Sequence, residues 1–125
     1  MNIRESAQDY LETIHILLQK NGRVKSIDIA NEMGITKQSV HRAVKNLKEE
    51  EYIFVDDKGY ITFLEKGEKI ALEVYEKHQI LAKFFMSLGV SSDIAYGDAC
   101  KIEHYISTES FMAIRDLILK KNNID

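Results

Sequence analysis

Two helix-forming segments in the first half of the chain are separated by only two residues, Gly34 and Ile35. Ser26 is expected to cap the first of these helices, and Gly34 ends it, since glycine readily adopts the left-handed conformation found after helix C-termini. Thr36 supplies the next capping side chain, and the second helix is predicted to run to about Glu50. So short a link between two helices predicts a helix-turn-helix unit.

Two short β-rich segments follow, at residues 52–55 and 60–63, and the turn between them contains Gly59. Helix, tight turn, helix and hairpin, in this order, predict a winged helix-turn-helix. We therefore expect a mainly α fold with a small β-hairpin, in which residues 1–64 form the winged helix-turn-helix domain and residues 65–125 a second, helical domain. The other predicted helices span about Arg4 to Lys20, Glu65 to Leu88, Ser92 to Ser107 and Thr108 to Lys121.

The composition excludes several classes of protein. The chain has 125 residues, of which 45% are hydrophobic and 30% charged, which predicts one compact unit or two small ones that share a core. A single cysteine excludes an internal disulfide and predicts a reducing, cytoplasmic location. The sequence shows no signal-peptide pattern and no apolar run of the ~18–20 residues that a membrane span needs, so we expect no membrane partner.

The predicted helix that begins at Thr36 carries several basic side chains and, up to Lys48, no acidic one. On a chain with a net charge of −3, this local concentration indicates DNA binding. An ordinary solvated helix face is the alternative, but the adjoining turn and hairpin favour DNA. At the hairpin tip Lys58 could contact phosphate, although Asp56 and Asp57 beside it predict a weak contact. The side chains predicted to contact phosphates and base edges are Lys37, Gln38, Ser39, His41, Arg42, Lys45 and Lys48.

A candidate metal site begins with Cys100, Glu103 and His104, which stand at positions i, i+3 and i+4. On a helix these three side chains would share one face. A thiolate, a carboxylate and an imidazole together suit a transition metal rather than Ca²⁺ or Mg²⁺. Alternatively, Cys100 is a small buried hydrophobic residue, and the other two form a surface pair.

Three further candidate ligands, Asp9, Glu12 and His78, are distant in sequence. Asp9 and Glu12 lie opposite the apolar stripe of the first helix, where two solvated carboxylates are the simpler interpretation. His78 lies on a largely apolar face, where a histidine is more often part of the core. The joint occurrence of all these candidates is what favours a metal site. The remaining histidines, His15 and His41, are expected to face solvent or DNA.

A set of short motifs extends over essentially the whole chain. They are Asp9-Tyr10-Leu11-Glu12-Thr13-Ile14, Ile29-Ala30, Ser39-Val40, Lys66-Gly67, Lys77-His78, and Asp98 to His104 followed by Ser107. Together they resemble the iron-dependent repressor family, of the diphtheria toxin repressor and manganese transport regulator type. The Cys-x-x-Glu-His element with an upstream His is the specific part, whereas a helix-turn-helix alone would not be.

The resemblance implies a homodimeric, metal-activated repressor that binds a palindromic operator in double-stranded DNA. Residues 65–125 would then be the dimerisation and metal-binding domain. Asp9 and Glu12 match the manganese branch, whereas Cys100 matches the iron branch, so the implied ligand set is a hybrid. Ala82 and Tyr96 stand where the iron branch has ligands of an ancillary site, which is therefore expected to be missing. Fe²⁺ or Mn²⁺ is the expected effector, with Co²⁺, Zn²⁺ or Ni²⁺ binding in vitro.

We therefore predict a metal-dependent transcriptional regulator of metal-ion homeostasis without enzymatic activity. A hydrolase that uses metal, Glu and His, with Cys100 as nucleophile, is the enzymatic alternative, but the sequence has no Gly-rich phosphate loop and no nucleophile elbow. A metal-independent winged-helix regulator that senses redox state or a small ligand through Cys100 stays open as a second alternative.

Overall fold

The structure, a computed structural model, describes residues 5–124 of the chain and the side chains of residues 6–121. The described residues form two compact units, one up to Leu72 and the other from Glu73 onward. The predicted mainly α fold with one small hairpin is confirmed, although Arg4, where the first helix was predicted to begin, lies outside the described residues. The elements are α1 (Glu5–Asn21), α2 (Ser26–Met33), α3 (Lys37–Glu49), β1 (Ile53–Val55), β2 (Ile61–Phe63), α4 (Glu65–Ser87), α5 (Ser92–Ile102) and α6 (Thr108–Ile124).

The first unit is built around the apolar faces of α1, α2 and α3, which contact one another. Their buried side chains recur three or four residues apart, as expected of helices with one face toward a core. Each aliphatic side chain that is fully buried in this way contributes about 1.5–3 kcal/mol to folding. The core of this unit also includes side chains from outside the three helices. Its fully or almost fully buried aliphatic side chains are Leu11, Ile14, Leu17, Val24, Ile29, Val40, Leu47, Ile53 and Ile61.

The link between α2 and α3 has the predicted chemistry at both of its ends, whereas the start of α2 differs from the prediction. Gly34 adopts the left-handed conformation (φ 66°, ψ 37°), and Thr36 caps α3 because its hydroxyl oxygen accepts the Ser39 N–H at 3.1 Å. At the start of α2, however, the predicted Ser26 cap is wrong. Lys25 is the capping residue, and its backbone N–H donates to the Asp28 carboxylate at 2.8 Å. Asp28, the third residue of the helix, thus accepts the N–H of the capping residue, whereas the serine hydroxyl was expected to accept an N–H of the first helical turn.

The hairpin pairs β1 with β2 in antiparallel register, with Val55 opposite Ile61. We call this hairpin and its turn, residues 53–63, the wing. The Asp56 carboxylate holds the turn, because it accepts the backbone N–H groups of Lys58 at 2.9 Å and Tyr60 at 2.8 Å. On its other edge β2 is tied to the segment before α2, since the Ile61 N–H donates to the Val24 carbonyl at 2.8 Å.

The first turn of α4 packs directly on the backbone that leads into the wing. Gly67 is buried there, and a side chain at this position would collide with the Tyr52 carbonyl. Tyr52 also lies under the Lys66 ammonium, whose nitrogen is 4.3 Å from the ring centroid. The Lys66-Gly67 motif is therefore explained by a close approach that only glycine permits.

In the second unit, the later part of α4 packs with α5 and α6. Alanines at the buried positions of α5, Ala95 and Ala99, let neighbouring elements approach closely. α5 ends at Ile102, five residues before the predicted Ser107, and the next residues form a turn. Among the described helices, none combines the length and apolar character needed to cross a membrane. The buried side chains of this core are Ile80, Leu81, Ala82, Ala95, Ala99, Phe111 and Ile118.

Candidate metal centre and nucleic-acid interface

The second unit contains a cluster of polar side chains, Glu103 with His78, His104 and Cys100, and the Glu103 carboxylate lies at its centre. Glu103 is only 1% exposed, and its two oxygens face two imidazoles. Oε2 is 3.0 Å from His78 Nδ1, and Oε1 is 3.5 Å from His104 Nε2. Burying a carboxylate costs several kcal/mol unless nearby groups compensate its charge. His78 Nδ1 lies within hydrogen-bond distance of Oε2, whereas Oε1 has no hydrogen-bond partner among the described residues, so one oxygen of this buried carboxylate is left for a cation.

The Cys100 thiol completes a set of three different donors. One ligand atom each of His78, Cys100 and Glu103 lies within 4.8 Å of the other two. Ligands of one transition-metal ion at distances of ~2.0–2.3 Å are at most about 4.6 Å apart. Nitrogen, sulfur and oxygen donors at this spacing therefore fit an ion such as Fe²⁺, Co²⁺ or Zn²⁺ after small side-chain adjustments.

The early end of α5 changes how these donors are presented. Cys100 lies in the last turn of the helix, and Glu103 follows as its C-terminal capping residue, with helical dihedral angles (φ −59°, ψ −26°). The predicted i, i+3 relation of Cys100 and Glu103 is therefore preserved, whereas His104 lies in the turn beyond the helix. Cys100 is exposed rather than a buried hydrophobic residue, so that alternative is wrong.

Tyr96 is a residue of this cluster whose role the sequence did not reveal. Its ring stacks on His78 with the centroids 5.6 Å apart and the planes at 27°. Its hydroxyl donates to Gln79 Oε1 at 3.3 Å. The stacking restricts the orientation of the imidazole that faces Glu103. A position one helical turn before Cys100 was the available signal, since i and i+4 share a helix face.

The two carboxylates of α1 are less exposed than the sequence suggested. Glu12 is buried, at 7% exposure, and Asp9 is partly buried, so the expectation of solvated carboxylates is wrong. His15, one turn after Glu12, is also buried instead of facing solvent or DNA. These residues belong to the first unit. Their convergence with the donors of the second unit stays a prediction.

α3 presents the opposite arrangement, with its polar side chains in solvent. Val40, Val44 and Leu47 face the core, and the predicted DNA contacts lie on the other side. Ser39 is partly taken up by the helix cap, since its hydroxyl accepts from the Thr36 hydroxyl at 2.9 Å. Within residues 6–121, no acidic side chain forms an ion pair with the cations of this face. Five predicted contacts, which we call the recognition surface, line one shallow depression: Lys37, Gln38, His41, Arg42 and Lys45.

Another pair of cations, which sequence reasoning missed, lies beside the wing. The Arg23 guanidinium carbon is 5.3 Å from the centroid of the Tyr60 ring, and the Lys25 ammonium is 4.7 Å from it. The signal in the sequence is faint, because two basic residues that flank one valine are common.

Comparison with known proteins assigns both halves of the chain. Residues 2–60 match the family model described as the iron dependent repressor N-terminal DNA binding domain. Residues 64–121 match the model of the iron dependent repressor metal binding and dimerisation domain. The two models together cover nearly the whole chain.

Individual proteins of known function or structure are also similar to this chain. The chain is 31% identical over 113 residues to the HTH-type transcriptional regulator MntR of Bacillus subtilis, which covers 90% of this chain and 80% of MntR. The structure of the manganese regulator SloR superposes with a TM-score of 0.78 at 24% identity, covering 94% of this chain and 54% of that one. ScaR with bound Zn²⁺ gives a TM-score of 0.75 at 25% identity, with 90% and 53% covered. The chain thus spans about half the length of these two solved chains.

Proposed function

Because this chain belongs to the iron-dependent repressor family, we propose that it represses metal-homeostasis genes when Fe²⁺ or Mn²⁺ is bound. The observation that carries this proposal is the buried Glu103 carboxylate, which shares a three-donor cluster with His78 and Cys100 inside the half that matches a metal binding and dimerisation domain. The family consists of DNA-binding regulators, so the hydrolase alternative is rejected. The same match favours metal activation over a regulator that works without metal.

The proposed ligands are the six residues identified from the sequence. Three are supported by their mutual distances in the second unit, and His104 by its contact with the Glu103 carboxylate. Asp9 and Glu12 of α1 are of the ligand type that the resemblance implies for the manganese branch, and a divalent ion would bind such carboxylates readily. The full set is Asp9, Glu12, His78, Cys100, Glu103 and His104.

The donor types bear on the choice of metal. Carboxylates suit Mn²⁺, whereas the Cys100 thiolate raises the affinity for Fe²⁺, and for Co²⁺, Zn²⁺ or Ni²⁺ in vitro. The affinity of most protein sites for divalent metals follows the Irving–Williams order, in which Zn²⁺ binds more tightly than Fe²⁺ or Mn²⁺. Tight binding of Zn²⁺ alone would therefore not identify the effector in the cell. ScaR, a relative in fold, has been solved with Zn²⁺.

We further propose that the chain binds DNA as a homodimer. Its second unit carries large hydrophobic side chains in solvent, among them Leu88 at 66% exposure and Ile94 at 58%, as an interface between subunits requires. A two-fold dimer would place two copies of α3 in successive major grooves, so the operator should be palindromic. Residues 1–64 would bind the DNA and residues 65–125 the metal and the partner subunit. We expect the protein to act in the cytoplasm.

The proposed DNA contacts are the seven polar side chains of α3. Arg42 and Gln38 can reach base edges, and the lysines contact phosphates. The full set is Lys37, Gln38, Ser39, His41, Arg42, Lys45 and Lys48.

A metal-dependent binding titration tests the proposal. A duplex selected by the protein from a random-sequence pool, in the presence of Mn²⁺, serves as the probe. We expect Mn²⁺ or anaerobic Fe²⁺ to raise the affinity for this duplex, and a chelator to reverse the effect. Duplex binding that is indifferent to metal and chelator but sensitive to peroxide would instead support the metal-independent alternative.

A further inference from the structure

We propose that Arg23 and Lys25, held against the Tyr60 ring, form a second phosphate-binding site for duplex DNA beside the recognition surface. The site is distinct from α3, because the cations belong to the segment between α1 and α2 and the ring to the wing. The inference rests on the proposed DNA-binding function and adds to it a contact that neither α3 nor the wing tip provides.

The backbone fixes both cations on one side of the segment. Val24 between them is fully buried, and its carbonyl accepts the Ile61 N–H at 2.8 Å, so this stretch lies beside β2, with an extended backbone at Lys25 (φ −121°, ψ 167°). Side chains alternate along extended backbone, and residues on either side of a buried one point outward together. Arg23 is exposed and Lys25 partly exposed, in keeping with this alternation.

The Tyr60 ring holds the two cations without neutralising them. Their charged groups lie 5.3 Å and 4.7 Å from one ring centroid, within the range of cation–π attraction. This attraction leaves both positive charges in place. Each cation can therefore still form a charge-assisted hydrogen bond to a phosphate oxygen.

Two acids close to the cation pair, Asp28 and Asp56, accept backbone hydrogen bonds. The Asp28 carboxylate accepts the backbone N–H of Lys25, and the Asp56 carboxylate accepts two backbone N–H groups of the wing turn. Within the part of the chain whose side chains are described, neither Arg23 nor Lys25 forms an ion pair. The pair therefore offers positive charge to an outside anion.

The position of the pair identifies DNA as that anion's source. Ser26 and Ile27, which follow Lys25 directly, line a second shallow depression together with Lys37 and His41 of α3. The cation pair thus continues the recognition surface toward the wing. When a helix lies in the major groove, the phosphates of the two strands flank it, and basic side chains beside the helix reach them.

The salt dependence of DNA binding tests the site. The variant is Arg23→Gln with Lys25→Gln in the full chain with Mn²⁺, and the probes are the selected duplex and a scrambled duplex of equal length. Loss of two phosphate contacts should lower the log–log salt slope by about 1.8. The advantage of the wild-type protein should then be about twelvefold larger at 50 mM than at 200 mM salt. Both duplexes should lose affinity alike, because phosphates carry no sequence information.

The matched control removes the same charge from α4, by Lys69→Gln with Lys83→Gln, both exposed. It should leave the slope unchanged, and an equal loss in this control would overturn the site in favour of a net-charge effect. If the Arg23→Gln, Lys25→Gln double variant does not fold, Arg23→Gln alone should lower the slope by about 0.9.

The outcomes separate this site from the proposed function. If the salt slope of the Arg23→Gln, Lys25→Gln variant is unchanged while Arg42→Ala still weakens binding, the second site is overturned. The proposed function would then still hold, and the two cations would serve only to pack against the wing. Failure of the wild-type protein to bind any duplex in a metal-dependent way would instead overturn the proposed function.

Discussion

The polar face of α3 and the cluster around Glu103 look similar in the sequence and differ in the folded chain. Both consist of polar side chains at helical spacing. On α3 they lie in solvent, one beside another, whereas Glu103 is buried, with His78 of α4 at one oxygen and the adjacent His104 near the other. An exposed charge can be removed without harming the fold. Removal of a buried carboxylate that is also a proposed metal ligand should affect folding and metal binding together.

The largest difference should appear in the stability of the metal-free protein. Glu103→Ala removes the buried hydrogen-bond partner of His78 and should lower the free energy of unfolding by about 1–3 kcal/mol. Arg42→Ala, on the exposed face, should change it by no more than about 0.5 kcal/mol. Urea denaturation with chelator present, at one fixed protein concentration, measures both. Equal stabilities for the two variants would remove the distinction between the two regions.

DNA affinity should show the reverse pattern for the recognition surface. Arg42→Ala together with Lys45→Ala should reduce metal-activated affinity by about 10- to 100-fold and lower the salt slope by about 0.9, because Lys45 contacts a phosphate and Arg42 a base edge. Metal affinity should stay at the wild-type value, because neither residue lies in the metal-binding cluster. Anisotropy titrations at several salt concentrations and a metal-competition assay provide the two readouts. Unchanged DNA affinity and salt dependence would show that α3 does not contact DNA through these residues.

Metal preference should be sensitive to the one soft donor. Cys100→Glu restores the ligand that the resemblance assigns to the manganese branch, and should raise Mn²⁺ activation relative to Co²⁺ activation by about tenfold. The parent protein with Co²⁺ should show a thiolate charge-transfer band that the variant lacks. If the band is absent from the parent and the activation ratio does not move, Cys100 is not a ligand.

The smallest effect should come from the stacking of Tyr96 on His78. Tyr96→Leu removes the ring and should weaken metal binding by about three- to tenfold, since such stacking contributes about 0.5–1.5 kcal/mol. Tyr96→Phe keeps the ring, loses only the hydroxyl that bonds Gln79, and should bind metal almost normally. Isothermal titration with Mn²⁺ compares the three proteins. A loss in the Phe variant as large as in the Leu variant would assign the effect to the hydroxyl.

Local patterns were sufficient to predict most of the winged helix-turn-helix. Gly34 ends α2 and Thr36 caps α3 as predicted, and both strands fall within the predicted β-rich segments. These features were predictable because turns and caps depend on neighbouring residues. The end of α5 was misplaced, since no glycine or proline follows Ile102 and the helical pattern continued to Ser107. Nothing local marked the point at which the backbone turns.

The remaining differences come from packing that the sequence does not express. The burial of Glu12 and His15 depends on what covers the polar side of α1, which no pattern within α1 specifies. The cation pair at Tyr60 could not be predicted from the sequence for a related reason. Arg23 and Lys25 gain their meaning only when Val24 is known to lie beside Ile61, and that pairing joins residues far apart in the chain.

The exposed Cys100 thiol provides a direct chemical probe of metal binding. It is the chain's single cysteine, so a thiol-specific reagent modifies one position, and a fluorophore attached there needs no engineered variant. A metal ion bound to the sulfur would compete with the reagent and slow alkylation. The alkylation rate of the purified protein would therefore report the occupancy of the site, metal by metal, without any DNA present.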